Sequence, residues 1–357
     1  MIRIGFLALA QAHQHLHWIP AALALARRPG VAVDVLASSR ANLAFIRRFD
    51  PDGVLNLVHL PFPQAAGDGL FNPPKRRGTA LLHHARLMRY DALVTTETSS
   101  SVLKRLPWFR VPMIHLKHGA GDAEVGYNDK HGRFDLTLVN GAKDKARLIE
   151  RGLGNDANIA VVGYAKFEAV AAAGRIFADD RPVALYNAHA RSIWSSWSGH
   201  APAIVAEMGR LPEWNFIVAP HVKLDGGPEV GSDAPNILID RGSERSIDMS
   251  YTQAADVYIG DASSQAYEFI VRPRPCIFLN LDRREWQGSE MATAWSCGQV
   301  IEDVGELGPA LARVGELQPH YEPIQRAALA ASIDPSPVSA SQRQADAILA
   351  FVTARRR

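Results

Sequence analysis

Apolar, β-favouring runs alternate with amphipathic stretches along the whole chain, and this alternation predicts the fold class before any single residue does. The first series places strands at 2–9, 31–36, 55–60, 92–95, 112–116, 136–139 and 159–162, separated by helical or loop stretches such as 19–27 and 142–151. Strands that read as continuous apolar runs, each followed by a helix, belong to a parallel sheet covered on both faces, hence a doubly wound α/β domain. A second series begins beyond Gly174–Pro182, whose glycine, paired aspartates and proline suit an interdomain connection. Its strands are expected at 183–186, 215–218, 236–239, 257–259 and 276–279. The chain therefore divides into a domain over 1–172, a second over 173–337 and an alanine-rich helix within 338–357.

At 357 residues the chain exceeds one ordinary core and fits two domains. A hydrophobic content of 47% with 21% charged residues is that of a globular protein and excludes disorder. With 39 basic and 37 acidic residues there is no general nucleic-acid footprint, so partners have to be argued locally. Cys276 and Cys297 lack metal-type spacing, and a chain of this size without a cysteine framework suits a reducing, cytoplasmic compartment. Ile4–Ala10 followed by Gln11-Ala12 superficially resembles a leader with its cleavage site. The apolar run is short, however, and passes directly into a helix at Ile19, as a first strand does. No run approaches ~20 apolar residues, the length that spans a bilayer. The Pro61–Arg77 connection is long for this fold class and suits a lid or an acceptor-binding insertion.

Candidate chemistry collects at strand ends. The strand Val257–Ile259 runs into Gly260-Asp261-Ala262-Ser263-Ser264 and then a helix from about Gln265, a turn that suits phosphate oxygens; the competing reading is an ordinary N-cap. His118 emerges from the strand before it into a glycine-bearing loop, Gly119-Ala120-Gly121-Asp122, and His221 follows the strand 214–218 in the same manner. Such positions, beyond the carboxyl ends of parallel strands, are where open α/β sheets bind ligands. His189 and Arg191 follow another strand and are candidates for donor phosphate, with a solvated loop as the alternative. His13, His15 and His17 are read by default as loop polarity, with cleft lining and a metal site as the sharper readings. Lys75-Arg76-Arg77 and Asp179-Asp180 are read as solvated surface, and Trp194 and Trp197 as core or an apolar rim.

The order of these elements resembles the CDP-glycerol glycerophosphotransferases, the teichoic-acid polymerase type of GT-B transferase. His118-Gly119 is similar to the start of the family's His-Gly-Thr-Pro-Leu-Lys motif, with Ala120-Gly121-Asp122 replacing the rest. Pro220-His221 is similar to its second histidine. Ala255-Asp256, Asp261-Ala262-Ser263-Ser264 and Tyr267-Glu268-Phe269 match its third motif over about two dozen residues. Leu185-Tyr186-Asn187-Ala188-His189 and Ser195-Ser196-Trp197 add a fourth likeness. The resemblance implies two Rossmann-like domains facing across a cleft, with the terminal helix bracing the first. It implies transfer of glycerol phosphate, or a related polyol phosphate, from a CDP-activated donor to a hydroxyl on a cell-envelope glycan or lipid, releasing CMP. His118 is then the base and His221 its catalytic counterpart. Gly119, Asp122, His189, Arg191, Lys223, Asp261, Ser263, Ser264 and Glu268 would contact substrate. No cofactor is expected, and no metal, since no Asp-x-Asp motif stands at a strand end.

The departures after His118 keep two alternatives open: a GT-B glycosyltransferase or nucleotide-sugar epimerase working on a UDP-sugar, and a GT-B protein that binds nucleotide or glycan without turnover. A lipid-linked acceptor further implies peripheral attachment to the inner face of the plasma membrane. Lys75-Arg76-Arg77, Trp108-Phe109-Arg110 and Arg355-Arg356-Arg357 would face anionic lipid, unless they are scattered charges and a buried aromatic pair.

Overall fold

The computed structural model describes residues 1–63, 69–122, 127–170, 174–189, 195–224 and 227–356. The chain forms two compact units: Met1–Gly119, Val125–Ala169 and Ile333–Arg357 make the first, Ala120–Glu124 and Val170–Ser332 the second.

The sheet of the first unit has seven parallel strands in the order β3-β2-β1-β4-β5-β6-β7. These are β1 Ile2–Ala8, β2 Val31–Ala37, β3 Asn56–His59, β4 Ala92–Thr95, β5 Met113–Leu116, β6 Leu136–Val139 and β7 Ile159–Val161. Their central residues are buried on both faces, which is why the sequence shows unbroken apolar runs where a one-sided sheet would alternate. Helices α1 Ile19–Ala26, α2 Arg40–Arg47, α3 Arg76–Leu82, α4 His84–Leu87 and α5 Ala142–Glu150 fill the connections. The last helix of the chain, designated αC, spans Ala340–Arg356 and packs on α1. Its Ala345, Ile348 and Val352 are buried, and Arg28 donates to Asp346 at 2.6 Å beside them. Burial of Ile348 and Val352 contributes about 1.5–3 kcal/mol each.

The second sheet is also wholly parallel, six strands in the order β10-β9-β8-β11-β12-β13. They are β8 Val183–Asn187, β9 Asn215–Val218, β10 Ile237–Ile239, β11 Val257–Gly260, β12 Cys276–Leu279 and β13 Gln299–Ile301. Between and after them lie α6 Trp197–Met208, α7 Ser250–Ala254, α8 Ser264–Phe269 and α9 Leu307–Ser332. Trp197 is core, packed with Tyr186, Phe216 and Met208. Gly260 is required where β11 approaches β8, because a Cβ there would stand 2.6 Å from the carbonyl oxygen of Asn187.

In both sheets the strand order reverses once, between β1 and β4 and between β8 and β11. The expected strands are all present, with ends shifted by a residue or two; β13 was not foreseen, being three residues with only two apolar ones. Two surface readings change. Phe109 is buried, so only Trp108 of that pair is exposed, and the C-terminal arginines are engaged, Arg355 with Asp135 and Arg356 with Asp91. Residues 64–68 of the proposed lid, and Arg357, lie outside the described residues. No described helix is long and apolar enough to cross a membrane.

Candidate functional site

The reversal point of the first sheet gathers the loops after β1 and β4, and β5 lies beside them. The loop after β1 folds into a 3-10 turn, Ala12–His17, rather than an open loop. The default reading of its histidines is corrected: His15 and His17 are buried. Burial pushes the His15 imidazole down to about 3 and holds His17 well below the ordinary histidine range, Lys166, His118 and Lys117 adding to the latter effect. Both rings are therefore neutral at physiological pH. Among the described residues no three or more His, Cys, Asp or Glu are arranged to hold a metal ion.

His118 stands at the centre of this end of the unit. The ring of His17 lies 6.0 Å away and that of His13 6.5 Å, and His17 in turn meets Tyr164 edge-on at 5.1 Å. The His118 Nδ1 is 2.7 Å from the carbonyl oxygen of Thr96, at the end of β4. A carbonyl can only accept, so Nδ1 carries a proton, and in the neutral form of the ring the basic nitrogen is Nε2. The backbone on either side is pinned. Lys117 is buried in an ion pair with Asp144 at 2.9 Å, and Tyr127 donates to the same carboxylate. Burial, the largest single effect, would lower the Lys117 pKa, but the Asp144 charge, Tyr127 and the hydrogen bonds to both together outweigh it and raise it. Asn140 donates to the Gly119 carbonyl at 3.0 Å, and Gly119 adopts φ +71°, a conformation that glycine takes without strain.

In the second unit the loops after β8, β9 and β11 carry the remaining candidates. Lys223 donates its backbone N–H to His221 Nδ1 at 3.1 Å. A backbone N–H can only donate, so Nδ1 of His221 is unprotonated and its neutral ring carries the proton on Nε2, the opposite tautomer to His118. The His189 ring lies 6.4 Å from that of His221. Asp261 fastens the loop after β8 to the β11 turn: one carboxylate oxygen accepts the backbone N–H of His189 at 2.7 Å and of Ser196 at 3.0 Å. Its other oxygen is buried without a hydrogen-bond partner among the described residues, and burial raises the Asp261 pKa to about 7.

The Ser263-Ser264 turn is more closed than a phosphate cradle requires. Ser263 caps α8 by accepting from the Gln265 N–H at 3.2 Å, as the simpler reading had it, and α8 is only six residues long. Gly121 packs directly over it; a Cβ at Gly121 would meet Ser264 at 3.0–3.1 Å. The Asp122 carboxylate accepts from Tyr267 at 2.7 Å. Glu268 is buried and lines a small cavity with Arg245, Met249 and Gln265. Met249 there has φ +68°, left-handed and unusual for its type. Arg191 and Trp194 lie outside the described residues.

Sequence reasoning passed over Thr96, Asn140 and Tyr164, drawn in from neighbouring strand ends, and Asp144, drawn in from α5, all visible only once the strand order is known. A cavity of about 410 Å³ against α1 and αC, lined by Pro20, Leu23, Arg27, Arg28, Glu168 and Gln342, contains none of these groups.

No family model and no curated protein matches the sequence. The structure is similar to UDP-GlcNAc 2-epimerase from Neisseria meningitidis bound to UDP-GlcNAc, with a TM-score of 0.69 at 11% identity, covering 99% of this chain and 100% of that one. It is similar to the S. aureus MnaA–UDP co-structure, with a TM-score of 0.67 at 11% identity over 99% and 97% of the two chains. It is also similar to the wall teichoic acid polymerase TagF, with a TM-score of 0.62 at 13% identity over 99% and 90%. At such identities the likeness is one of fold: the chain is an α/β protein of the GT-B class, built from two Rossmann-like doubly wound units.

Proposed function

We propose that the protein transfers a glycerol-phosphate or related polyol-phosphate unit from a CDP-activated donor to a hydroxyl acceptor on a cell-envelope glycan or lipid. The opposite tautomers of His118 and His221 carry this reading. His118 Nε2 takes the proton of the acceptor hydroxyl as its oxygen attacks the distal phosphorus of the donor. The bond from that phosphorus to the bridging oxygen breaks, and CMP leaves with growing negative charge. His221 Nε2–H gives that oxygen a proton, and Lys223 lowers the energy of the charge that remains. Glu268, buried beside the small cavity of the second unit, would contact the donor in this reading. No step calls on a metal.

Three observations support a nucleotide-activated donor: the loops at the β8/β11 reversal, the fold shared with proteins solved with UDP-GlcNAc and UDP, and the TagF fold, one variant of which was soaked with CDPG. The full-length match to UDP-GlcNAc 2-epimerase favours a second reading, in which the same groups act on a UDP-sugar without an acceptor. Incubation with CDP-glycerol, CDP-ribitol and UDP-GlcNAc, with CMP and UDP measured, separates them. CMP release that depends on an added hydroxyl acceptor is expected; epimerised UDP-sugar with no CMP release would establish the alternative.

A further inference from the structure

Residues 75–110 of the first unit carry eight basic side chains against two acidic ones, Asp91 and Glu97. Glu97 is buried and caps the 3-10 turn Ser99–Arg105 through the Ser99 and Ser100 N–H groups. Asp91 is held by Arg356 at 2.8 Å and by the backbone N–H of Arg3. What this stretch shows to solvent is therefore positive: Arg77, Arg86, Arg89, Arg105 and Arg110 are all exposed. Among them stand four large apolar side chains, Leu82 and Trp108 each 55% exposed, Met88 44% and Leu81 37%. They are neighbours: α3 packs on the 99–105 turn, His84 bonds the Leu81 carbonyl oxygen at 2.8 Å, and the Trp108 ring lies edge-on 6.3 Å from that of His84.

We propose that this surface docks the protein on an anionic lipid bilayer, with Leu81, Leu82, Met88 and Trp108 entering the headgroup boundary and the surrounding cations facing lipid phosphates. A bilayer answers both halves of the patch at once. A second copy of the chain meeting this face about a twofold axis would bring like charges together. A soluble polyanion would leave the leucines, the methionine and the indole in water. Apolar side chains among basic ones, with a tryptophan among them, are the composition that binds an interface without spanning it. The surface differs from the one expected from sequence, since Phe109 is buried and Arg355 and Arg356 are held by acidic partners. It stands independently of the reaction proposed above.

Flotation with phosphatidylcholine vesicles, with and without a one-third share of phosphatidylglycerol, tests it. The protein is expected to float with the anionic vesicles at low salt, to be released by high salt and to ignore the neutral ones. Arg86→Ala or Arg89→Ala should weaken binding about fivefold each. Leu82→Ser or Trp108→Ser should weaken it about tenfold; all four positions are exposed, and an unchanged thermal melt confirms the fold. Absence of flotation at low salt overturns the proposal. So does binding to heparin that equals vesicle binding and is indifferent to Leu82→Ser and Trp108→Ser, which would assign the patch to a soluble polyanion. A dimer in sedimentation that these two substitutions dissolve would overturn it in favour of self-association.

Discussion

His118 and His221 differ in the hydrogen-bond partner of Nδ1, and that partner decides which nitrogen of each neutral ring carries the proton. Replacing His118 by alanine removes a base that acts as the acceptor loses its proton, so turnover should fall by about 10²–10⁴ while donor affinity, measured by calorimetry, stays unchanged. His221→Ala should weaken donor binding as well; full turnover in His118→Ala would reject the assignment. Asp261 gives a prediction of opposite kind. Its folded pKa, about 7, is raised above the unfolded value near 3.9, so the folded state holds more protons between the two. That contribution to stability is present below pH ~4 and is lost as pH rises through 7. Asp261→Asn should therefore melt above the wild type at pH 8, with the gap narrowing below pH 7 and closing by about pH 4; a constant gap would contradict the titration. The positions of these residues were legible, since each follows an apolar run. Their states were not: the partner that fixes the His118 tautomer lies on another strand, 22 residues upstream.

At the scale of elements, the loop after β5 is held by a buried ion pair reaching across to α5. Lys117 and Asp144 are 5% and 0% exposed, so removing one charge strands the other out of water. Asp144→Ala should cost about 3–5 kcal/mol in urea unfolding, and Lys117→Met with Asp144→Leu should recover much of it. If the single change costs no more than a surface pair, the charges are hydrated in solution and the loop is held by other contacts. Strands and their order in the chain could be read from the sequence because a sheet covered on both faces writes continuous apolar runs. Short elements escaped. The Ala12–His17 turn has polar residues whose burial depends on neighbours far away in sequence, and β13 is too short to show a period. The phosphate-cradle reading of Ser263-Ser264 rested on local pattern alone, which cannot show Gly121 packed above it.

Over the whole molecule the charge balance near neutrality conceals an uneven response to acid. His15, His17, His115 and His131 all belong to the first unit, and burial lowers the pKa of each. Their folded pKa values lie below the unfolded value near 6.5, so their contribution is present above that pH and lost as pH falls through it. The first unit should accordingly lose stability from about pH 6 downward. Hydrogen exchange at pH 5 should show its amides opening before those of the second unit; simultaneous opening would indicate one cooperative block. Composition foretold none of this, because a histidine count does not say which rings are dry.

The first unit is assembled from segments on both sides of the second in sequence, and αC, which covers α1, comes after residue 332. During synthesis at about 5–20 residues per second, every strand of the second sheet emerges before that helix. The second unit, apart from the short Ala120–Glu124 segment, can therefore complete its core while the first still waits for its final piece. For those seconds the apolar side of α1 is a surface for a chaperone to hold, and a chain ending at Ser332 would keep it uncovered for good.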